Sequence, residues 1–303
     1  MNNTQGKKVI KQHFIPRFYL KNFASDKKRF FCFRRKSTIF KANIENICAK
    51  KYLHEVERKA SGTGEKHIKE NYIEKQLSVV EGRLAPMYQK FLDCCCTRTM
   101  NCEDTRNGAY AVSYLMAMMT ERHPIALDSR RQVAVDIAQR YIREEKYSDE
   151  DRRLLKSQGA EYDLVSLSEL FAMEVALFPK DEKSPLLQLW HQLNSKRLVV
   201  LKAPIGTEFI ATDLPIFFSE YDEASKDFKE AYMPLSHRFA ALFLNEGKPF
   251  TVIDLPTAGV MSFNSRLLAA HQVWTVAFSK SKGPLSAARR DWHLEWCFVE
   301  PSK

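Results

Sequence analysis

The sequence predicts an α+β fold, with a central helical block and a mixed or antiparallel sheet formed by N-terminal and C-terminal strands. Three observations carry that expectation. From about His67 to Ser195 apolar residues recur at helical spacing; after Lys196 the period changes to two; before Ser61 short aromatic runs are bounded by turn-forming residues. A single domain over 1–303 is expected, with a helix and strands at 1–64, the helical block at 65–195 and the sheet-containing part at 196–303.

Pro16 suits the first turn of a helix, where its missing N–H is not needed, and this leaves His13 just before that helix with its ring near the positive end. Phe14, Phe18, Tyr19 and Phe23 recur at helical spacing and should face inward, with Lys11, Arg17 and Lys21 solvated. Strands are predicted at Arg29 to Arg35 and Ser37 to Lys41, then a turn or short helix at Asn43 to Cys48 and a turn at Ser61-Gly62-Thr63-Gly64. Helices are predicted over Ile68 to Cys96, Glu103 to Arg122, Leu127 to Glu145, Asp149 to Lys156, Ser166 to Phe178 and Pro185 to Asn194. Asp149-Glu150-Asp151 ahead of Arg152 and Arg153 is the charge order favoured at a helix start. Past Lys196, the runs Arg197 to Lys202 and Glu208 to Thr212 read as a hairpin turning through Ala203-Pro204-Ile205-Gly206. Strands at Ile216 to Phe218, Tyr232 to Leu235 and Phe239 to Leu244, a helix from Ala258 to Phe278 and a last strand at Trp292 to Val299 complete the reading, and the N-terminal strands are expected to join the C-terminal sheet.

Composition narrows the function classes. Apolar residues at 45% and charged residues at 28% exclude a largely disordered chain. No run has the apolar length of a membrane span, and Met1-Asn2-Asn3-Thr4 lacks the apolar region of a secretory signal, so a cytoplasmic location without a membrane partner is expected. The seven cysteines are odd in number and three are adjacent, Cys94, Cys95 and Cys96; they suit neither a disulfide framework nor a zinc site and read as small buried hydrophobes. Walker loops, dinucleotide glycine patterns, nucleophile elbows and paired-histidine zinc motifs are absent from the sequence. The net charge of +10 attracts phosphate polymers or an acidic partner. Between Lys7 and Lys36, Lys27-Lys28-Arg29 and Arg34-Arg35-Lys36 bracket Phe30, Phe31 and Phe33, which suits phosphate contact with base stacking, or a strand with one buried aromatic face and one solvated basic face.

The run His13-x-x-Pro16-x-x-Tyr19-Leu20-x-x-Phe23 resembles the signature of a mostly bacterial family, domain of unknown function 4238. The resemblance extends along the chain. Ile73-Glu74-Lys75-Gln76-Leu77-Ser78 with Glu81 is similar to the family's first long acidic helix, Arg122-His123-Pro124 to its Arg-x-Pro helix end, and Thr212-Asp213-Leu214-Pro215 to its Thr-Ser-Asp-Asn-Pro turn; Pro234-Leu235-Ser236 and Asn264 also fit. Ala211 and Leu214 depart from the polar residues the family more often has there. The resemblance implies a fold and a set of positions, and no reaction.

Seven residues separate Glu74 from Glu81, so both lie on nearly the same face of a helix. Asp213, at a strand end, is placed to project into a cleft or to cap the next backbone amide. If a glutamate, with Glu81 the preferred one, converges with Asp213 and His13, the set suits a divalent metal such as magnesium activating water against a phosphodiester. Lys11, Arg17, Arg122 and Asn264 are then the candidate substrate-binding residues. The functional expectation is a nucleic-acid phosphodiester hydrolase, such as a bacterial defence (including phage defence) or toxin-type effector. Its alternatives are a non-enzymatic nucleotide- or nucleic-acid-binding module and a subunit that binds a partner protein. Arg266 and His271 have an Arg-x4-His spacing also found in metal-independent ribonucleases, but about 140° apart on a helix they share no face.

Overall fold

The computed structural model describes residues 10–26, 28–34, 38–57, 70–98, 102–144, 148–157, 164–178, 180–222, 227–246, 250–270 and 276–288. In chain order the elements are β1 (Lys11–His13), α1 (Arg17–Leu20), β2 (Arg29–Phe33), β3 (Phe40–Asn43), β4 (Ala49–Lys51), α2 (Tyr72–Thr97), α3 (Cys102–Arg122), α4 (Pro124–Arg143), α5 (Asp149–Ser157), α6 (Leu164–Leu177) and α7 (Pro185–Ser195). The second half continues with β5 (Arg197–Lys202), β6 (Ala211–Thr212), β7 (Phe217–Asp222), β8 (Asp227–Pro234), β9 (Phe239–Leu244), β10 (Thr251–Asp254), α8 (Thr257–Ala270) and β11 (Ala277–Ser279). The fold is α+β, as the change of hydrophobic period requires.

Internal packing divides the chain into two compact units, each assembled from three stretches. Unit 1 comprises Met1–Phe14, Ala49–Glu81 and Glu121–Gln188; unit 2 comprises Ile15–Cys48, Gly82–Thr120 and Leu189–Lys303. One boundary falls inside α2 at Glu81 and Gly82, close to Pro86, which has no N–H to donate to the Gly82 carbonyl.

Unit 1 is mostly helical. α4 packs along α6, and β1 pairs antiparallel with β4, setting Lys11 opposite Lys51 and His13 opposite Ala49. Side chains alternate across a strand, so with Gln12 buried, Lys11 and His13 take the other face of this two-stranded ribbon. His13 thus closes a strand, whereas the sequence places it at a helix entry; its backbone belongs to the ladder with Ala49, and the helix begins only after Pro16.

Among the described residues unit 2 holds two sheets. The larger runs β10-β5-β9-β8-β7, antiparallel except for the β10–β5 pair, and the smaller runs β3-β2-β11-β6, antiparallel throughout. N-terminal and C-terminal strands therefore share the smaller sheet. α8 serves both: Val260 and Leu267 pack with Val199, Phe209 and Tyr232 of one core, and Leu268 packs with Phe33, Ile210 and Ala277 of the other.

Two expectations are corrected here. β5 does not form a hairpin with β6; it lies between β9 and β10, while β6 pairs with β11. The connecting segment explains this, because the Ala203 and Phe209 N–H groups donate to the Arg238 and His237 carbonyls of the β8–β9 turn, and Gly206 adopts φ +87° between them. Four consecutive buried residues, Leu198 to Leu201, also suit a strand with a partner on each side. Secondly, α8 ends at Ala270, and Ala277 to Phe278 belong to β11, where Phe278 stacks on Phe30 with ring centres 4.9 Å apart. β10 was not anticipated. The Ser61–Gly64 turn and the strand at Trp292 to Val299 lie outside the described residues.

Candidate functional site

The polar residues of unit 1 are organised around Arg122. It ends α3, where a cation is favoured by the helix dipole, and it is only 2% exposed. A buried guanidinium needs carboxylates, and α2 supplies two from one face. Arg122 Nη1 donates to Glu81 Oε1, and Nη2 stands 4.0 Å from Glu74 Oε1. His123 and Pro124 then start the next helix: Pro124 occupies the first turn, and His123 Nδ1 accepts from the Ile125 N–H at 3.4 Å.

Glu74 has a second partner. The His54 ring is wholly buried, with Nδ1 2.5 Å from Glu74 Oε1. Burial pushes the imidazole down to about 4, against the pull of the Glu74 hydrogen bond, so near neutrality His54 is uncharged and its Nδ1–H donates to the carboxylate. Its Nε2 is left as a buried acceptor with no hydrogen-bond partner among the described residues, and the Arg122 Nε–H is a buried donor likewise without one. For Glu74 itself burial acts upward, but the hydrogen bond from His54 and the nearby Arg122 and His13 outweigh it and hold the carboxyl below its usual range.

The β1–β4 ribbon fixes this arrangement. Gln12 accepts from the His54 backbone N–H at 2.6 Å and donates to Glu55 Oε1 at 2.8 Å, and Glu55 accepts from the Asn71 N–H at the start of α2 at 3.0 Å. From the other face of β1, the charge of half-buried His13 acts on Glu74. Lys11 and Lys51, cross-strand neighbours on that face, are both exposed. The site therefore has an inner part with two carboxylates against one guanidinium, and an outer part with an imidazole beside two ammonium groups.

Such an arrangement can attract a phosphate and move a proton. It does not fit a divalent metal, because the two carboxylates are already turned to Arg122 and His54. Among the described residues no group of three or more His, Cys, Asp or Glu side chains is placed to hold a metal ion.

Of the sequence-predicted residues, Lys11, His13, Glu81 and Arg122 thus belong to unit 1, and Glu81 and Arg122 are in direct contact. Arg122 is interior and holds carboxylates. Arg17, Asp213 and Asn264 belong to unit 2. Arg17 is exposed and pairs with Glu45 at 3.5 Å. Asp213 is buried; its N–H donates to the Val276 carbonyl at 3.0 Å and its Oδ1 accepts from the Val276 N–H at 3.4 Å. Asn264 is committed to backbone, accepting from the Ile210 N–H and donating to the Glu208 carbonyl, each at 3.0 Å. Arg266 pairs with Glu230 at 2.7 Å, and His271 lies outside the described residues.

Sequence reasoning passed over His54, for which no partner stands at a recognisable spacing, and Lys51, which reaches the site only through strand register. The apolar flanks Leu53 and Val56 were the available signal that this imidazole is buried. The family model described as Protein of unknown function (DUF4238) matches residues 11–281, and the chain belongs to that family. Neither the curated proteins nor the solved structures contain a match.

Proposed function

We propose that the protein is a nucleic-acid phosphodiester hydrolase whose proton-transfer group is His13. The observation that supports this reading is that His13, Lys11 and Lys51 share one face of the ribbon, with the charge of His13 acting on the Glu74 carboxylate. Lys11 and Lys51 would take the charge of a phosphate, and His13, a residue type that ordinarily exchanges protons near neutrality, would accept the proton of the attacking water. A phosphorus–oxygen bond to water forms, the bond to the leaving oxygen breaks, and the imidazolium returns the proton to that oxygen. Glu74 would favour the protonated imidazole between these steps, and Arg122 with Glu81 and His54 would position Glu74. No metal is assigned a step.

The test is cleavage of labelled single-stranded RNA, single-stranded DNA and duplex DNA by the purified full chain. His13→Ala is expected to lower turnover at least about a hundredfold with binding retained, and Lys11→Ala with Lys51→Ala to weaken binding and steepen its salt sensitivity less than in the parent. A parent protein that cleaves none of the three polymers removes the hydrolase reading.

One observation favours a second, non-enzymatic reading. On β2 and β3 of unit 2, Lys41 Nζ lies 4.9 Å from the centre of the Phe31 ring and the Arg34 guanidinium 5.7 Å from that of Phe40, with both rings half-buried and both cations exposed. Cations beside accessible rings suit a single-stranded nucleic acid that is bound and not cut. Phe40→Ala and Lys41→Ala weakening binding of a protein without turnover would support that reading.

A further inference from the structure

Away from the polar cluster, the paired helices α4 and α6 of unit 1 expose an apolar face that the proposed chemistry does not use. On α4, Val133 (55% exposed), Ile137 (61%) and Tyr141 recur one turn apart; on α6, Phe171 (67%) and Val175 do the same. Two adjoining recesses of about 520 and 310 Å³ share Phe171, Val175 and Pro185 as lining, and the second is also lined by Val133 and Ile137, so these side chains form one continuous surface with Tyr141 one turn further along α4. Single exposed hydrophobic residues are ordinary, whereas a contiguous apolar face of several hundred Å² marks a contact surface.

We infer that a second copy of this chain docks on this face, the two α4 helices crossing antiparallel about a two-fold axis. Three features select a twin over an unrelated partner. A two-fold interface must fit itself, so one patch has to carry both a projection and a hollow. Phe171 projects beside the recess bounded by Phe178 and Pro185. The exposed apolar side chains present on the order of 500 Å² per copy, and the polar rim brings this toward the roughly 800 Å² per partner of a stable interface.

Charge supplies the third feature and the orientation. Asp136 and Arg140 stand one turn apart beside the apolar stripe, both exposed. Asp136 accepts from Gln132 at 2.9 Å, and neither residue has an ion-pair partner among the described residues. An antiparallel crossing centred between them sets Asp136 of each copy against Arg140 of the other, which favours this register over the parallel one.

The experiment is sedimentation velocity of the full chain from about 1 to 100 µM. The parent is expected to show twice the mass of the 35.2 kDa chain at the upper end. Phe171→Glu buries a charge at the contact and should weaken association about a hundredfold or more. Asp136→Arg and Arg140→Asp should each weaken it about five- to tenfold, and the double variant should recover it. If Phe171→Glu loses its helical circular dichroism, the exposed charge pair decides alone. A parent of single-chain mass at every concentration, a dimer indifferent to a folded Phe171→Glu, or a double variant no better than the singles overturns the inference.

Discussion

Unit 2 buries its family-matched polar residues against backbone, and unit 1 buries its own against one another. Asn264 satisfies one N–H and one carbonyl around β6, and Asp213 exchanges hydrogen bonds with Val276 at the end of β11. Both are neat solutions to the requirement that buried backbone groups be paired. In unit 1 the cluster is built of ionisable groups, two carboxylates, a guanidinium and an imidazole, and it retains unpartnered atoms at His54 Nε2 and Arg122 Nε among the described residues. The contrast teaches that a polar residue in the matched region is not a site by virtue of being polar. A side chain spent on backbone fixes a strand, whereas a buried ionisable one has its protonation set by burial and by its charged neighbours together.

The sharpest way to break this comparison is Arg122→Leu. It leaves Glu74 and Glu81 facing each other without their cation, and a loss of about 3–5 kcal/mol is expected from urea unfolding. A loss below about 1 kcal/mol would mean that the cluster is not held by its charges. Acidification should act next most strongly, and on unit 1. His54 titrates at about 4 in the folded chain and in the ordinary histidine range when unfolded, so between pH 6.5 and 4 the unfolded chain binds more protons and stability falls as pH falls. The fall amounts to up to about 3 kcal/mol and is complete near pH 4. Glu74, also held low, extends the loss below the usual glutamate range. In His54→Gln the slope between pH 6.5 and 4 should flatten; an unchanged slope assigns the effect elsewhere.

Asn264→Ala should cost about 2 kcal/mol, since it strands the Ile210 N–H and the Glu208 carbonyl, and this loss should be the same at pH 5 and pH 7. A strongly pH-dependent loss would blur the distinction between the units. The smallest effect belongs to Arg17→Ala, expected to change stability by less than about 0.5 kcal/mol because its pair with Glu45 is more than half exposed on both sides.

Legibility in the sequence followed the range of the interactions. Helices α2 to α7 were readable because their period is local, and the seven-residue spacing of Glu74 and Glu81 already put both on one face. The β5–β6 hairpin expectation fails because the connecting backbone spends its donors on a turn about thirty residues downstream, Ala203 to Arg238 and Phe209 to His237, which no local pattern records. The predicted helix runs into β11 at Ala277 and Phe278 because Ala277 to Ser279 acquire strand character only from β2 and β6. His54 and Glu74 stand twenty residues apart, and a strand register and a buried glutamine bring them together. The sequence marks Arg122 as a candidate but not its depth; a charged residue at a helix end looks solvated until the carboxylates that draw it inward are known.

The smaller sheet has a consequence for biosynthesis. β2 leaves the ribosome well before its sheet neighbour β11, Ala277–Ser279. At about 5–20 residues per second, β2 waits tens of seconds or less with one edge unpaired, carrying Phe30 and Phe33, which are wholly interior once the sheet is complete. The exposed cations at β2, Lys28, Arg29 and Arg34, are the kind of residue that discourages strand addition by neighbouring chains during that delay.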